Sequence, residues 1–164
     1  MPEMTALGWF HTVLGILALL SGVVSFARFR LIAWAHGPGR FYLSCTLITA
    51  LSALGIYNQG GFGVAHVLAL LTLGAVLVGS VAEKGALFGK LSPYLQAVSY
   101  SASFLFHMIP AITDGLMRLP VGDPVVTSIE DPLLRGFYLA FLATYVVGVL
   151  AQVVFLRRQV AGAG

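Results

Sequence analysis

The chain has 164 residues, of which 59% are hydrophobic and 9% are charged. A soluble domain has about a quarter charged residues, so this composition excludes an ordinary soluble domain, a disordered chain and a nucleic-acid-binding protein. Nine Lys and Arg residues against six Asp and Glu residues are a small excess, which in a membrane protein reports topology. The single cysteine, Cys45, excludes a disulfide framework within the chain.

Five apolar segments are long enough to cross the hydrocarbon core of a bilayer, which takes about 20 residues. Glu3 is the only charged residue before the first segment, whereas a signal peptide begins with basic residues. The segment is also too long for a signal peptide, so we expect it to be retained. Residues 58–61, Asn-Gln-Gly-Gly, predict a tight turn. The sequence predicts one domain over residues 1–164, an all-α integral membrane bundle of five transmembrane helices. The spans cover about residues 7–26, 41–57, 62–81, 94–112 and 137–156.

The distribution of Lys and Arg predicts the orientation, because these residues are enriched in cytoplasmic loops. Arg118 and Arg135 fall on one side, in or beside the longest predicted loop, about residues 114–136. The other basic residues all fall on the opposite side, and they are Arg28, Arg30, Arg40, Lys84, Lys90, Arg157 and Arg158. The sequence therefore predicts an N-terminus outside and a C-terminus in the cytoplasm.

Three histidines lie at one depth in three different predicted helices. His11, His66 and His107 each stand about four or five residues from the outer end of their segment, which is roughly 6 to 8 Å below the boundary. Polar residues inside a membrane are functional candidates by default. Neutral imidazole is a common ligand of haem iron, zinc and copper. The pattern predicts a cofactor or metal site, with core histidines bonded to their neighbours as the alternative.

The helix faces that carry these histidines are small or polar. On helix one, His11 lies in a stripe of small residues that includes Gly15, which indicates either close helix packing or a slot for a flat cofactor. The full stripe is Gly8, His11, Gly15, Ala18, Gly22 and Ser25. Helix five presents a second inward face at intervals of seven, formed by Tyr138, Tyr145 and Gln152.

Helix four carries a polar stripe of Gln96, Ser99, Tyr100, Ser103 and His107. Such a stripe forms interhelical hydrogen bonds, a proton path or the surroundings of a ligand, and we expect Ser103 to orient the ring of His107. Pro110, one turn later, predicts that the helix bends or ends there.

Two motifs resemble those of a known family, and the resemblance extends over roughly residues 7–80. They are His11-x-x-x-Gly15 in helix one and His36-x-x-Gly39-Arg40-x-Tyr42, which opens helix two after a predicted turn. They resemble a large bacterial family of small integral membrane proteins of unknown function. The family's later His-Arg-x-Trp-Met-x-Arg stretch is not found in this sequence. The arrangement of histidines on short spans is also similar to that of transmembrane b-type cytochromes, which bind haem between helices.

We therefore expect a multi-pass protein of the bacterial inner membrane, surrounded by lipid, that binds haem b and transfers electrons, with quinone as a candidate partner. Two of the three histidines would be axial ligands, and the porphyrin would lie against Gly15. Arg118 or Arg135 would pair with the propionates. The third histidine or Tyr100 would bond a quinone oxygen.

Two further functions stay open at the level of sequence. All three histidines together would form a zinc or copper site with an open position, with Asp114 as a nearby carboxylate. The other alternative is a non-catalytic accessory subunit of a larger membrane complex. Transport is less favoured, because the predicted spans carry no Asp, Glu, Lys or Arg in their interiors.

Overall fold

The computed structural model describes residues 4–57, 61–85 and 87–161, and every regular element in these residues is a helix. The all-α class is therefore confirmed. Glu3 and residues 58–60 of the predicted turn lie outside the described residues. The five long helices are α1 (Ala6–Phe29), α2 (Gly37–Ala53), α3 (Val64–Glu83), α4 (Ser92–Arg118) and α5 (Pro132–Ala161).

Four of these helices, α1, α3, α4 and α5, are long enough and apolar enough to cross a membrane. Only 11% to 33% of the residues in their apolar windows are buried inside the protein. Their apolar side chains therefore cover much of the outer surface, as contact with lipid requires. The shorter α2 has 17 residues, and it buries Tyr42, Leu43, Thr46 and Thr49 among the other helices.

Helix α2 begins four residues before the predicted segment. Pro38 lies in its first turn, where a missing N–H costs nothing because first-turn amides have no acceptor within the helix. The Arg40 N–H donates to the His36 carbonyl at 2.8 Å. Residues 37–40, predicted as a turn, are thus the first helical turn. The ring of His36 stacks on Phe29 with the ring centroids 4.0 Å apart.

Pro110 does not end α4, which continues for two more turns to Arg118. The Thr113 hydroxyl donates to the Ile109 carbonyl and lies 2.7 Å from the Tyr138 hydroxyl of α5. These contacts hold the end of α4 against α5. Because α4 ends late and α5 begins early, the connection between them covers residues 119–131 and is shorter than predicted.

Consecutive helices run antiparallel where contacts between their ends fix the direction. The pairs of residues that show this are His11 with Thr49 for α1 and α2, Glu83 with Tyr100 for α3 and α4, and Thr113 with Tyr138 for α4 and α5. The inward face predicted for helix five is confirmed, since all three of its polar residues bond to α4 or to the α1–α2 connection.

Side chains from three helices bind carbonyl groups of the connection between α1 and α2. This connection, residues 30–36, is too short to satisfy its own backbone. The bonds run from Gln152 of α5 to Arg30 at 2.9 Å, from Ser25 of α1 to Leu31 at 2.8 Å, and from Gln96 of α4 to Ile32 at 3.2 Å. The fourth helix, α3, binds the amides of the same connection.

The carboxylate of Glu83, the last residue of α3, accepts the backbone N–H groups of Trp34 and Ala35. The Trp34 amide lies 2.8 and 3.1 Å from the two carboxylate oxygens, and the Ala35 amide lies 3.3 Å from one of them. The Tyr100 hydroxyl donates to the same carboxylate at 2.9 Å. One acidic side chain therefore joins the α1–α2 connection to α3 and α4.

Gly79 allows α3 and α4 to meet at this point. The ring of Tyr100 lies directly on Gly79, and a Cβ there would collide with the ring. Ser80, next in sequence, accepts the Trp34 indole N–H at 3.0 Å and lies 3.2 Å from the Tyr100 hydroxyl.

We expect the substitution Glu83→Gln to destabilise the fold, because an amide replaces one carboxylate oxygen with a donor that faces other donors. Hydrogen bonds to charged groups are worth about 1.5 to 3 kcal/mol, so the unfolding midpoint should fall by roughly 5 °C. The thiol of Cys45 is 5% exposed, so a thiol-reactive fluorophore reports unfolding of the detergent-solubilised protein. Glu130→Gln, at an exposed position of the α4–α5 connection, is the matched control. Equal midpoints for the two variants would contradict this role.

Candidate histidine site

The structure brings His11 and His107 to the same face of α1. Gly15 follows His11 by one turn, and a Cβ at Gly15 would lie 3.5 Å from His107 Nε2 and 3.7 Å from Thr49 Cγ2. The ring of His107 therefore lies close to the backbone of α1, at a distance where a Cβ at Gly15 would make ordinary van der Waals contact. The small-residue stripe predicted for helix one is buried, so its inward direction is confirmed.

The ring of His11 is held by α2. Its Nδ1 lies 3.0 Å from the Thr49 carbonyl oxygen and 3.1 Å from Ser52 Oγ. A carbonyl oxygen only accepts hydrogen bonds, so Nδ1 carries the proton and Nε2 keeps its lone pair. A backbone carbonyl in this position is the usual way in which proteins orient a metal-ligating histidine.

His107 is 8% exposed, and neither of its ring nitrogens has a hydrogen-bond partner among the described residues. The hydroxyl oxygen of Thr49 is also buried without a partner there. A buried polar group that makes no hydrogen bond costs about 1 to 3 kcal/mol. Such atoms are therefore rare in native proteins, and a group of them indicates a binding site.

His66 has a different environment. Its Nδ1 accepts the Gly63 backbone N–H at 3.1 Å, so the neutral ring carries its proton on Nε2 and presents a donor there. The ring packs between Tyr57 and Phe62, with centroid distances of 4.8 and 5.0 Å. His66 thus caps the beginning of α3, and its buried Nε2 has no partner among the described residues.

No three His, Cys, Asp or Glu side chains of the described residues are close enough to hold one metal ion. The structure therefore places His11 and His107 together and leaves His66 out of their group. A three-histidine zinc or copper centre is not formed in this arrangement of the side chains.

Ser103 and Tyr100 make their hydrogen bonds away from His107. The Ser103 hydroxyl donates to the Tyr100 carbonyl at 2.7 Å and lies 2.8 Å from the Tyr42 hydroxyl. The Tyr100 hydroxyl bonds to Glu83. Ser103 therefore does not orient His107 as expected. For these two residues the polar stripe of α4 provides hydrogen bonds between helices.

The charged residues expected near the site lie at the ends of helices. Arg118 Nε is 3.8 Å from the carboxylate of Asp114, one turn earlier on α4. Eleven residues separate Arg118 from His107, about 16 Å along the helix axis. Arg135 is exposed in the first turn of α5.

Three residues that hold His11 or join the helices were not predicted from the sequence. Thr49 and Ser52 of α2 hold His11, and they continue a run of polar residues spaced by three or four that begins at Tyr42 and includes Thr46. That spacing is the signal that would have identified them. Glu83 lay two residues beyond the predicted end of the third span, and no local pattern indicates its partners.

No protein-family model, no curated protein and no solved structure matches this chain. The resemblance noted for residues 7–80 therefore stays a prediction.

We expect His11 and His66 to be opposite neutral tautomers. The bonding pattern requires Nδ1–H in His11, opposite the Thr49 carbonyl, and Nε2–H in His66, opposite the Gly63 amide. Nitrogen-15 NMR of the histidine-labelled protein distinguishes the two forms through couplings between ring nitrogens and ring protons. Variants that lack one histidine assign the signals. Ser52→Ala keeps the Thr49 carbonyl and should leave the His11 tautomer unchanged, whereas Nε2–H in His11 would contradict the geometry.

Proposed function

We propose that the chain is a membrane haem protein that transfers single electrons, with His11 and His107 as the axial ligands of haem b. The observation that carries this proposal is the pair of imidazoles that α1 and α4 bring together. One ring has a lone pair fixed on Nε2, and the other has two buried nitrogens without partners among the described residues.

The number of available ligands favours haem over zinc. Structural and catalytic zinc sites use three or four protein ligands, and the described residues bring no such group together. A low-spin haem takes two nitrogen ligands from the protein, and His11 and His107 would be the residues that hold it. When bound, haem b supplies a centre that gains and loses one electron.

The third histidine suits a quinone. The Nε2–H of His66 is a buried donor without a partner among the described residues, and aromatic rings lie on either side of the imidazole. A quinone carbonyl accepts such a bond, and its ring packs against aromatic side chains. His66 is therefore the better candidate for this contact than Tyr100, whose hydroxyl is already bonded to Glu83.

We also propose five membrane crossings, with the N-terminus outside a bacterial inner membrane. Glu83 at the end of α3 binds the amides of residues 34–35, so the α1–α2 connection and the end of α3 share one end of the bundle. That arrangement requires α2 to cross as well. Its 17 residues rise about 25 Å, somewhat less than the ~30 Å hydrocarbon core. The same end carries most of the basic residues, which favours the cytoplasm.

The haem assignment is tested by the absorption spectrum of the detergent-purified protein, oxidised and then reduced with dithionite. We expect a Soret band that sharpens on reduction, with separate α and β bands. His11→Ala and His107→Ala should each abolish the low-spin spectrum, because each removes one axial nitrogen. His66→Ala is the matched control and should retain it. Protection of the buried Cys45 thiol from the thiol-reactive fluorophore checks that each variant is folded.

Three other results would contradict the assignment. Loss of the spectrum in His66→Ala with retention in His107→Ala would exclude this ligand pair. A colourless protein with stoichiometric zinc or copper would indicate an ion site. A colourless protein with neither metal would indicate an accessory subunit.

Restoration of the spectrum in His107→Gly by added imidazole would distinguish a lost ligand from a damaged fold.

Single cysteines in a Cys45→Ala background test the topology. An impermeant thiol reagent added to intact cells should label Ser128→Cys, and it should label Ala35→Cys and Lys90→Cys only after permeabilisation. All three positions are exposed. Labelling of Ala35→Cys and Lys90→Cys from opposite sides would show that α2 does not cross. Reversal of all three results would overturn the orientation.

A further inference from the structure

A pocket of ≈ 340 Å³ opens on the protein surface beside the C-terminal half of α5. Its lining combines apolar side chains with two arginines. The lining residues are Arg30, Leu150, Ala151, Val154, Phe155 and Arg158. Arg30 immediately follows α1, so the pocket lies between the end of α1 and α5.

Arg30 is fixed in place by α5 through both its backbone and its side chain. Its carbonyl accepts the Gln152 amide at 2.9 Å, and its guanidinium lies 4.9 Å from the centroid of the Phe155 ring. Arg30 also has a φ of 63°, a left-handed conformation that glycine adopts most easily at the end of a helix. An arginine in this conformation costs roughly 1 to 2 kcal/mol relative to a right-handed backbone.

The two arginines of the pocket have no acidic partner in the described part of the chain. The ion pair found there joins Arg118 to Asp114, on α4. The carboxylate of Glu83 lies at the same end of the bundle, but it is bonded to two backbone amides and a tyrosine hydroxyl. Two unpaired guanidiniums at one pocket attract an anion, and the planar guanidinium suits phosphate in particular.

We propose that this pocket binds an anionic phospholipid, with the phosphate between Arg30 and Arg158 and an acyl chain along Leu150 and Val154. Those two apolar side chains are 60% and 50% exposed, and they belong to a helix of membrane-spanning length. Basic pockets where transmembrane helices reach the membrane surface are typical lipid headgroup sites. The proposal depends on the membrane placement of α5 and is independent of the haem assignment.

Native mass spectrometry of the detergent-purified full chain tests this site, with phosphatidylglycerol and phosphatidylcholine added in separate titrations. We expect one phosphatidylglycerol to be retained in preference to phosphatidylcholine. Arg30→Gly and Arg158→Gln should each weaken its binding about tenfold, the loss expected for a charged hydrogen bond. Arg30→Gly removes the guanidinium and favours the existing left-handed backbone, so its effect is not a consequence of misfolding.

Arg28→Gln and Arg157→Gln are the matched controls, because both residues are exposed, basic and close in sequence to the pocket without lining it. Their phosphatidylglycerol affinity should stay within about twofold of the parent protein. An equal loss in all four variants would show a diffuse surface charge and overturn the proposal. Equal retention of both lipids would do the same. Displacement of the lipid by millimolar inorganic phosphate would assign the pocket to free phosphate instead.

Discussion

Backbone amides and carbonyls that are removed from water must find partners within the protein. Helices satisfy this requirement internally, but the short connection between α1 and α2, at one end of the bundle, takes partners from side chains of other helices. Its carbonyls are bound by side chains of α1, α4 and α5, and its amides by the Glu83 carboxylate of α3. Four of the five helices, α1, α3, α4 and α5, therefore each place a polar side chain at this connection. The histidine pair lies toward the other end of α1 and depends on the packing fixed here.

Periodicity predicted the inward faces of the helices well and their ends less well. The stripe of small residues on α1 is buried, and the three polar residues of α5 at intervals of seven all face α4 or the connection. These faces are set by local spacing. The ends are set by capping and by contacts with distant residues, such as the bond between Thr113 and Tyr138 beyond Pro110. Apolar length alone does not contain that information.

The predicted segments place His11, His66 and His107 at equivalent positions, so the sequence could not distinguish among them. In the structure His66 lies in the first turn of α3, whereas His107 lies eleven residues before the end of α4. The three histidines differ in the partner of each ring, which is a carbonyl of α2 for His11, the amide of Gly63 just before α3 for His66, and no described residue for His107. Those partners decide which nitrogen bears the proton, and they come from the fold. Ser103 was likewise expected near His107 by spacing, and a tyrosine of α2 engages it instead.

The shared use of the α1–α2 connection has a consequence for biogenesis. Helices enter the membrane in chain order, and the carbonyl of Arg30 receives its partner Gln152 only when α5, the last helix, has been inserted. The first two helices thus wait through the synthesis of about 100 residues with a polar backbone that is only partly satisfied. An assembly intermediate that stops before α5 lacks the partner of the Arg30 carbonyl. Completion of the bundle is therefore coupled to the arrival of a single glutamine near its end.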